Sequence, residues 1–145
     1  MKIYAVIDTN VIVSALLSCH QDSATVKILD YLYARTIVPV YDDEILEEYA
    51  NVLRRTKFNF PESTISATLE AIKKGGLKSD RISSDEQMPD PKDIVFYEVA
   101  LSVESVIKVF GMLCIFLVHT LYNKPISMHS MQKAKVNSAA KQSFY

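Results

Sequence analysis

The sequence predicts an α/β fold built on parallel strands, and two features of its first half carry that prediction. The first is Ile3–Ile7, an unbroken apolar run of strand length that stops at Asp8. A run without polar alternation suits a parallel strand covered on both faces. The second is the rhythm of the next hundred residues, in which strand-length apolar runs alternate with segments of helical periodicity. After Asp8, Thr9 and Asn10 carry side-chain oxygens suited to capping, and Val11, Ile12, Val13, Ala15, Leu16 and Leu17 make a helix buried over most of its surface. Asp8 therefore falls at the carboxyl end of a core strand, the edge of an open α/β sheet where ligands bind. The plainer alternative is that Asp8 only helps to cap the helix.

The later elements obey the same grammar. Ser18 to Ser23 is a polar break, after which Val26, Ile28, Leu29, Leu32 and Tyr33 recur at helical spacing to about Ala34. Thr36 to Val40 predicts a second short strand, and Pro39 suggests that it lies at a sheet edge or ends there. Asp42 and Asp43 are N-cap candidates for a helix to about Arg54, with Ile45, Leu46, Tyr49, Val52 and Leu53 as its apolar stripe. A further helix runs from Pro61, a favoured first helical residue, to Lys74, and Gly75-Gly76 ends it. Pro89 and Pro91 frame a loop, Asp90 caps the next helix with Pro91 at its first position, and Ile94, Val95, Val99, Ala100 and Val103 supply its buried side. Val106 to Val118 is nearly all apolar and reads as a buried strand, being short of the about 20 residues of a membrane span. The residues beyond Lys124 are polar, so the expected division is a domain over 1–122 and a loosely ordered tail over 123–145.

At 145 residues the chain fits one domain with a real core. Its 49% apolar and 23% charged residues are ordinary for a globular protein. A net charge of −1 gives no general attraction for nucleic acid, so such a partner must be held by local patches or metal ions. The two cysteines, Cys19 and Cys114, lack metal-ligand spacing and read as small buried hydrophobes in a reducing compartment. Asp8 interrupts the first apolar run before a signal-peptide core forms, which points to the cytoplasm.

Three acidic sites share one local architecture. Asp8 ends the first strand, Glu44, Glu47 and Glu48 crowd the helix after the second, and Asp90 and Asp93 open the helix after the proline loop. Acids near helix N-termini are stabilised by about 0.3–1 kcal/mol, which alone accounts for each taken singly. If the strands are parallel, however, all three helix starts lie on one sheet edge and the carboxylates converge. Within the middle helix, Glu48 shares a side with Ile45, Tyr49 and Val52. Glu47 falls beside Arg54, where it pairs or faces water. Glu48 is thus the favoured ligand, and Glu44, one turn before it, ranks second. Converging carboxylates without histidine or cysteine repel one another unless a cation intervenes, and hard ions such as Mg²⁺ or Mn²⁺ suit an all-oxygen site. Such a site is suited to phosphodiester hydrolysis.

The segments IDTNVIVSALL, EILEEYANVL and DPKDIVFYEVAL, in this order and spacing, resemble PIN-domain proteins, especially the PIN toxins of bacterial and archaeal toxin–antitoxin systems. The resemblance covers roughly residues 1–102. It implies a three-layer α/β/α fold with a central parallel sheet, and a metal-dependent ribonuclease selective for single-stranded RNA. It also implies a cognate antitoxin and a possible homodimer as partners, with no membrane association. The family's acids fall on Asp8, Glu48 and Asp93; its polar positions match Thr9 and Asn10, and its helix hydroxyl matches Ser14. Asp90 supports the helix start. The family's Thr-Gly-Asp or Thr-Gly-Asn type turn is missing from VESVIKVFGMLCIFLVHTLYNKPI, so the C-terminal part departs from the pattern. A shifted frame through the codons of Met112 to Phe116 can encode Asn-Ala, an apolar residue, His or Tyr, then Phe, which resembles the family's residues just after that turn. As written, the departure implies a weakened nuclease or an inactive antitoxin-binding module as the alternative function.

Other readings are less specific. Arg54, Arg55 and Lys57 with Phe58 and Phe60 offer phosphate contacts and base stacking to an RNA strand, although cations at a helix C-terminus are stabilising anyway. Lys73, Lys74, Lys78 and Arg81 carry still less information. A phosphotransferase of the haloacid-dehalogenase type requires a second aspartate two residues after Asp8, where Asn10 stands.

Overall fold

The computed structural model describes residues 2–88 and 90–103 and the backbone of 107–109. Strand β1 (Ile3–Ile7) lies between β2 (Ile37–Tyr41) and β4 (Ile107–Val109), and β3 (Leu77–Lys78) adds to the outer side of β2. Every pairing is parallel, with Ile3 opposite Ile37, Ala5 opposite Ile107 and Val40 opposite Leu77. The chain steps outward from β1 to β2 to β3 and then returns to the other side of β1 as β4. The direction of winding therefore changes at β1, and the crevice at such a reversal is where α/β sheets bind ligands. Asp8 is the next residue after β1 there.

Successive strand side chains point to opposite faces. Ala5, Val6 and Ile7 are all buried, as is the whole of β2, so helices cover both faces of the sheet. Helices α1 (Thr9–Leu17) and α2 (Ala24–Tyr33) connect β1 to β2, and α3 (Asp43–Leu53) and α4 (Glu62–Gly75) connect β2 to β3. A 3-10 turn (Pro91–Asp93) and α5 (Ile94–Leu101) lead towards β4. This is the predicted α/β/α arrangement. Ile45, Tyr49 and Leu53, spaced four apart on α3, are each at most 1% exposed and anchor that helix to the core.

Several local expectations are corrected. Asp8 itself caps α1, its carboxylate accepting from Asn10 N at 2.7 Å, so Thr9 and Asn10 are helical residues and not caps. Pro39 sits in the middle of an interior strand. Ile3 N donates to Thr36 O at 3.0 Å, which sets the alternation by which Pro39 faces away from β1. On its other side pairing begins only at Val40, so the missing N–H breaks no rung of either ladder. Pro61 is the N-cap of α4 and not its first residue, and Gly76 ends that helix without a positive φ. Gly76 is needed for space: a Cβ would stand 2.5 Å from Ile72 O and 2.6 Å from Pro39 O. Tyr33 is exposed, its hydroxyl 3.2 Å from Thr68 Oγ1, and Cys19 is exposed in the turn after α1. The predicted strand over Val106 to Val118 is described only at Ile107–Val109; its remainder, Cys114 and the 123–145 tail lie outside the described residues. Among the described residues no helix is long and apolar enough to cross a membrane.

Candidate active site at the strand-order reversal

Asp8 is gripped from both sides by consecutive residues of α3. The Thr9 hydroxyl donates to Glu48 Oε1 at 2.6 Å, and the Tyr49 hydroxyl donates to the carbonyl of Ile7. One helix thus binds the residue before Asp8 and the residue after it, which places the Glu48 carboxylate beside the Asp8 peptide. The arrangement arises from the local sequence. Tyr49 is fully buried because it lies on the Ile45–Leu53 stripe, and Glu48, next to it in the chain, lies at the margin of that stripe and stays half-exposed. Thr9 is 3% exposed, so its hydroxyl must find a protein partner, and Glu48 is that partner.

The electrostatics report the same convergence. Burial, then the negative charges of Asp8, Glu48 and Asp42, hold the Tyr49 hydroxyl well above the usual phenol range, so it remains a donor to Ile7. Asp42 caps α3, accepting from Ile45 N at 2.8 Å with one oxygen, while Arg81 Nε lies 3.2 Å from the other. Three acids, Asp8 and Asp42 from two strand ends and Glu48 from α3, therefore act on one buried phenol.

The third acid of the predicted set arrives on α5. Its helix packs against β1 and α3, and the rings of Phe96 and Tyr49 meet at 6.4 Å between centroids. Asp90 caps the preceding 3-10 turn by accepting from Lys92 N at 3.0 Å, and Asp93, half-buried, ends that turn as the N-cap residue of α5. Since β1 and β2 are parallel and α1 and α3 follow them directly, the starts of these two helices share one sheet edge. Among the described residues, however, no group of three histidine, cysteine, aspartate or glutamate side chains is placed to hold a metal ion by itself. Asp8 and Glu48 still fit a small hard cation in chemistry: both are oxygen donors, and Mg²⁺ is commonly held by one or two carboxylates with waters and substrate phosphate completing the shell.

The remaining predicted residues separate. Asn10 and Ser14 are exposed on α1. Glu44 points to Arg81, 2.7 Å from its Nη2, and not to the Thr9–Glu48 pair. Glu47 is exposed, and Arg54 pairs with Glu62 through Nε at 3.2 Å and Nη2 at 2.7 Å, so the suggested Glu47–Arg54 pair does not form. Arg55 and Lys57 are exposed, Lys57 Nζ lies 4.7 Å from the centre of the Phe58 ring, and Phe58 stacks on Phe60 at 5.6 Å. Sequence reasoning missed Tyr49, read as core alone, and Arg81, read as a nonspecific cation. A tyrosine hydroxyl on a fully apolar stripe was the available signal for the first, since a buried phenol needs an acceptor; nothing in the local sequence marked the second.

The family model described as PIN domain matches residues 4–107. No curated protein and no solved structure matches the chain.

Proposed function

The chain belongs to the PIN-domain family, and from that premise we propose that it is a divalent-metal-dependent endoribonuclease acting on single-stranded RNA, the toxin of a type II toxin–antitoxin pair. The observation that carries the reading is the Asp8–Thr9–Glu48 arrangement at the strand-order reversal. Asp8, Glu48 and Asp93 are the proposed ligands of Mg²⁺ or Mn²⁺. Such an ion, when bound, orients water and offsets the charge that builds on the phosphate. The chain's own part is positional. Asn10 N fixes the Asp8 carboxylate, Thr9 fixes that of Glu48, and Asp90 fixes the turn that presents Asp93. Ser14 and Asn10 line the exposed side of α1 next to this edge, where the nucleotide would pass. Arg55 and Lys57, in the turn that follows α3, supply phosphate contacts. The cognate antitoxin, a homodimer and a cytoplasmic setting belong to the same proposal.

A second reading has its own support: the absence, among the described residues, of three acids placed to hold a metal favours a weakened or inactive module that binds an antitoxin. Cleavage of single-stranded RNA with added Mn²⁺, compared between the intact chain and Asp8→Asn, separates the two. Cleavage by the intact chain alone supports the nuclease. Cleavage by neither supports the module, and equal cleavage by both places the activity elsewhere.

A further inference from the structure

The turn between α3 and α4 concentrates positive charge in a chain whose net charge is −1. From Tyr49 to Pro61 the sequence carries Arg54, Arg55 and Lys57 and no acid. Several cations elsewhere are answered by carboxylates: Arg81 meets Asp42, Glu44 and Glu98, Lys78 meets Asp43, and Lys74 meets Glu70. Within the turn, Arg54 is taken by Glu62 of α4. Arg55 and Lys57, two positions apart and exposed, meet no carboxylate among the described residues.

Their backbone is fixed. Arg55 N donates to Val52 O at 3.1 Å, Phe58 N to Arg55 O at 3.0 Å and Asn59 N to Thr56 O at 3.2 Å. Asn59 takes the left-handed conformation, φ 51°, which asparagine tolerates, and the stacked rings of Phe58 and Phe60 pack the turn against the core. Cations carried on an ordered backbone lose less freedom when they meet a phosphate.

The turn also has a definite relation to the candidate active site. Glu48, Val52 and Arg55 recur at i, i+4 and i+7, which puts them on one flank of α3, and the bond from Arg55 N to Val52 O keeps Arg55 below Val52. That flank faces α1, because Thr9 donates to Glu48. At 1.5 Å per residue Arg55 stands about 10 Å from Glu48 along the helix. A stacked strand with a phosphate every 3.4 Å covers that span in about three nucleotides. Arg55 and Lys57 are thus too far away to touch a phosphate at Asp8, yet close enough to hold the same strand.

We propose that Arg55 and Lys57 form a second RNA subsite, separate from the Asp8–Glu48 edge, which grips a single strand about three nucleotides away and so sets a minimum length for tight binding. This rests on single-stranded RNA being the substrate, and on no metal ligand.

The test is fluorescence anisotropy of labelled oligouridylates of three and twelve nucleotides with the full chain in EDTA, over a series of salt concentrations. The parent is compared with Arg55→Gln/Lys57→Gln and with Lys73→Gln/Lys74→Gln, an equal charge change at the end of α4 remote from Glu62. Each phosphate contact to a single strand adds about 0.7 to the slope of log K against log salt. With the twelve-nucleotide strand, Arg55→Gln/Lys57→Gln should lower that slope by about 1.4, which over the decade below 1 M weakens binding roughly 25-fold at 0.1 M. Its affinity for the trinucleotide should match the parent's, and Lys73→Gln/Lys74→Gln should match the parent with both. Arg55→Gln alone should show about half the slope change, which secures the test should Lys57→Gln disturb the Phe58 ring it covers. No binding by the parent, unchanged affinity in the variant, or an equal loss with the trinucleotide or in Lys73→Gln/Lys74→Gln overturns the subsite. Binding is read without metal, so the two readings fail separately. A parent that binds through Arg55 and Lys57 but does not cleave with Mn²⁺ keeps the subsite and loses the nuclease; one that cleaves but binds without them keeps the nuclease and loses the subsite.

Discussion

Thr9 and Glu48 stand 39 positions apart in the chain and share a hydrogen bond of 2.6 Å, which joins the start of the first helix to the third. A hydrogen bond to a charged group contributes about 1.5–3 kcal/mol. Thr9→Val, which keeps the shape and removes the hydroxyl, should lower stability by about that amount in urea unfolding. It should also weaken Mn²⁺ binding about tenfold, because Glu48 loses the group that orients it. Thr9→Ser should keep the affinity.

Asp8 has two roles that one pair of substitutions separates. Asparagine caps helices as well as aspartate does, whereas alanine at an N-cap costs about 1 kcal/mol. Asp8→Asn should therefore unfold at nearly the parent urea concentration, and Asp8→Ala at a lower one. Both should lose RNA cleavage by about a hundredfold or more, the consequence of removing a few kcal/mol of transition-state stabilisation. A cleavage loss confined to Asp8→Ala would reduce Asp8 to a cap.

Tyr49 makes the fold sensitive to alkali. Burial and the nearby acids raise its folded-state pKa above the unfolded value of about 10, so its contribution to stability is fully present below pH about 10 and is lost as the pH rises towards the folded value. Tyr49 should ionise only as the chain unfolds, read as a phenolate absorbance step coincident with loss of circular dichroism. In Tyr49→Phe that coincident step should vanish. The neutral-pH stability of the same variant should drop by roughly 1–3 kcal/mol, because the Ile7 carbonyl is left without its donor.

Gly76 is a fourth point of sensitivity, set by space alone. An added methyl group would meet the Ile72 and Pro39 carbonyls at 2.5 and 2.6 Å and the Tyr41 ring at 2.9 Å. Gly76→Ala should therefore destabilise by about 1–3 kcal/mol, as overpacking does. Gly75→Ala should be tolerated, since its nearest neighbour is the flexible Arg35 side chain at 3.9 Å.

The elements that announced themselves in the sequence were those with a strong period or an unbroken apolar run. β1, β2 and the five helices lie where the patterns of Ile3–Ile7, Ile45–Leu53 and their counterparts put them. Parallel pairing, inferred from the lack of alternation in β1, placed the starts of α1 and α3 on one edge, and Glu48 was separable from Glu47 by its face on the helix. Three things were not legible. β3 spans two residues, too short to show a period. Pro39 reads as an edge signal, and only the register shows that its nitrogen faces a gap in the ladder. The Arg81 contacts depend on residues brought together from three segments, and no local pattern encodes them.

The brevity of β3 has a consequence for the protein's behaviour in a crowded solution. An outer strand with a long row of unpaired amides is a template on which other chains can add, and natural sheets blunt that hazard with short borders and lysine. Among the described residues the border on that side is Leu77–Lys78, and the Lys78 ammonium is tethered to Asp43 at 2.8 Å. The outward backbone there is too short to seed intermolecular sheet growth, so self-association through this flank is disfavoured.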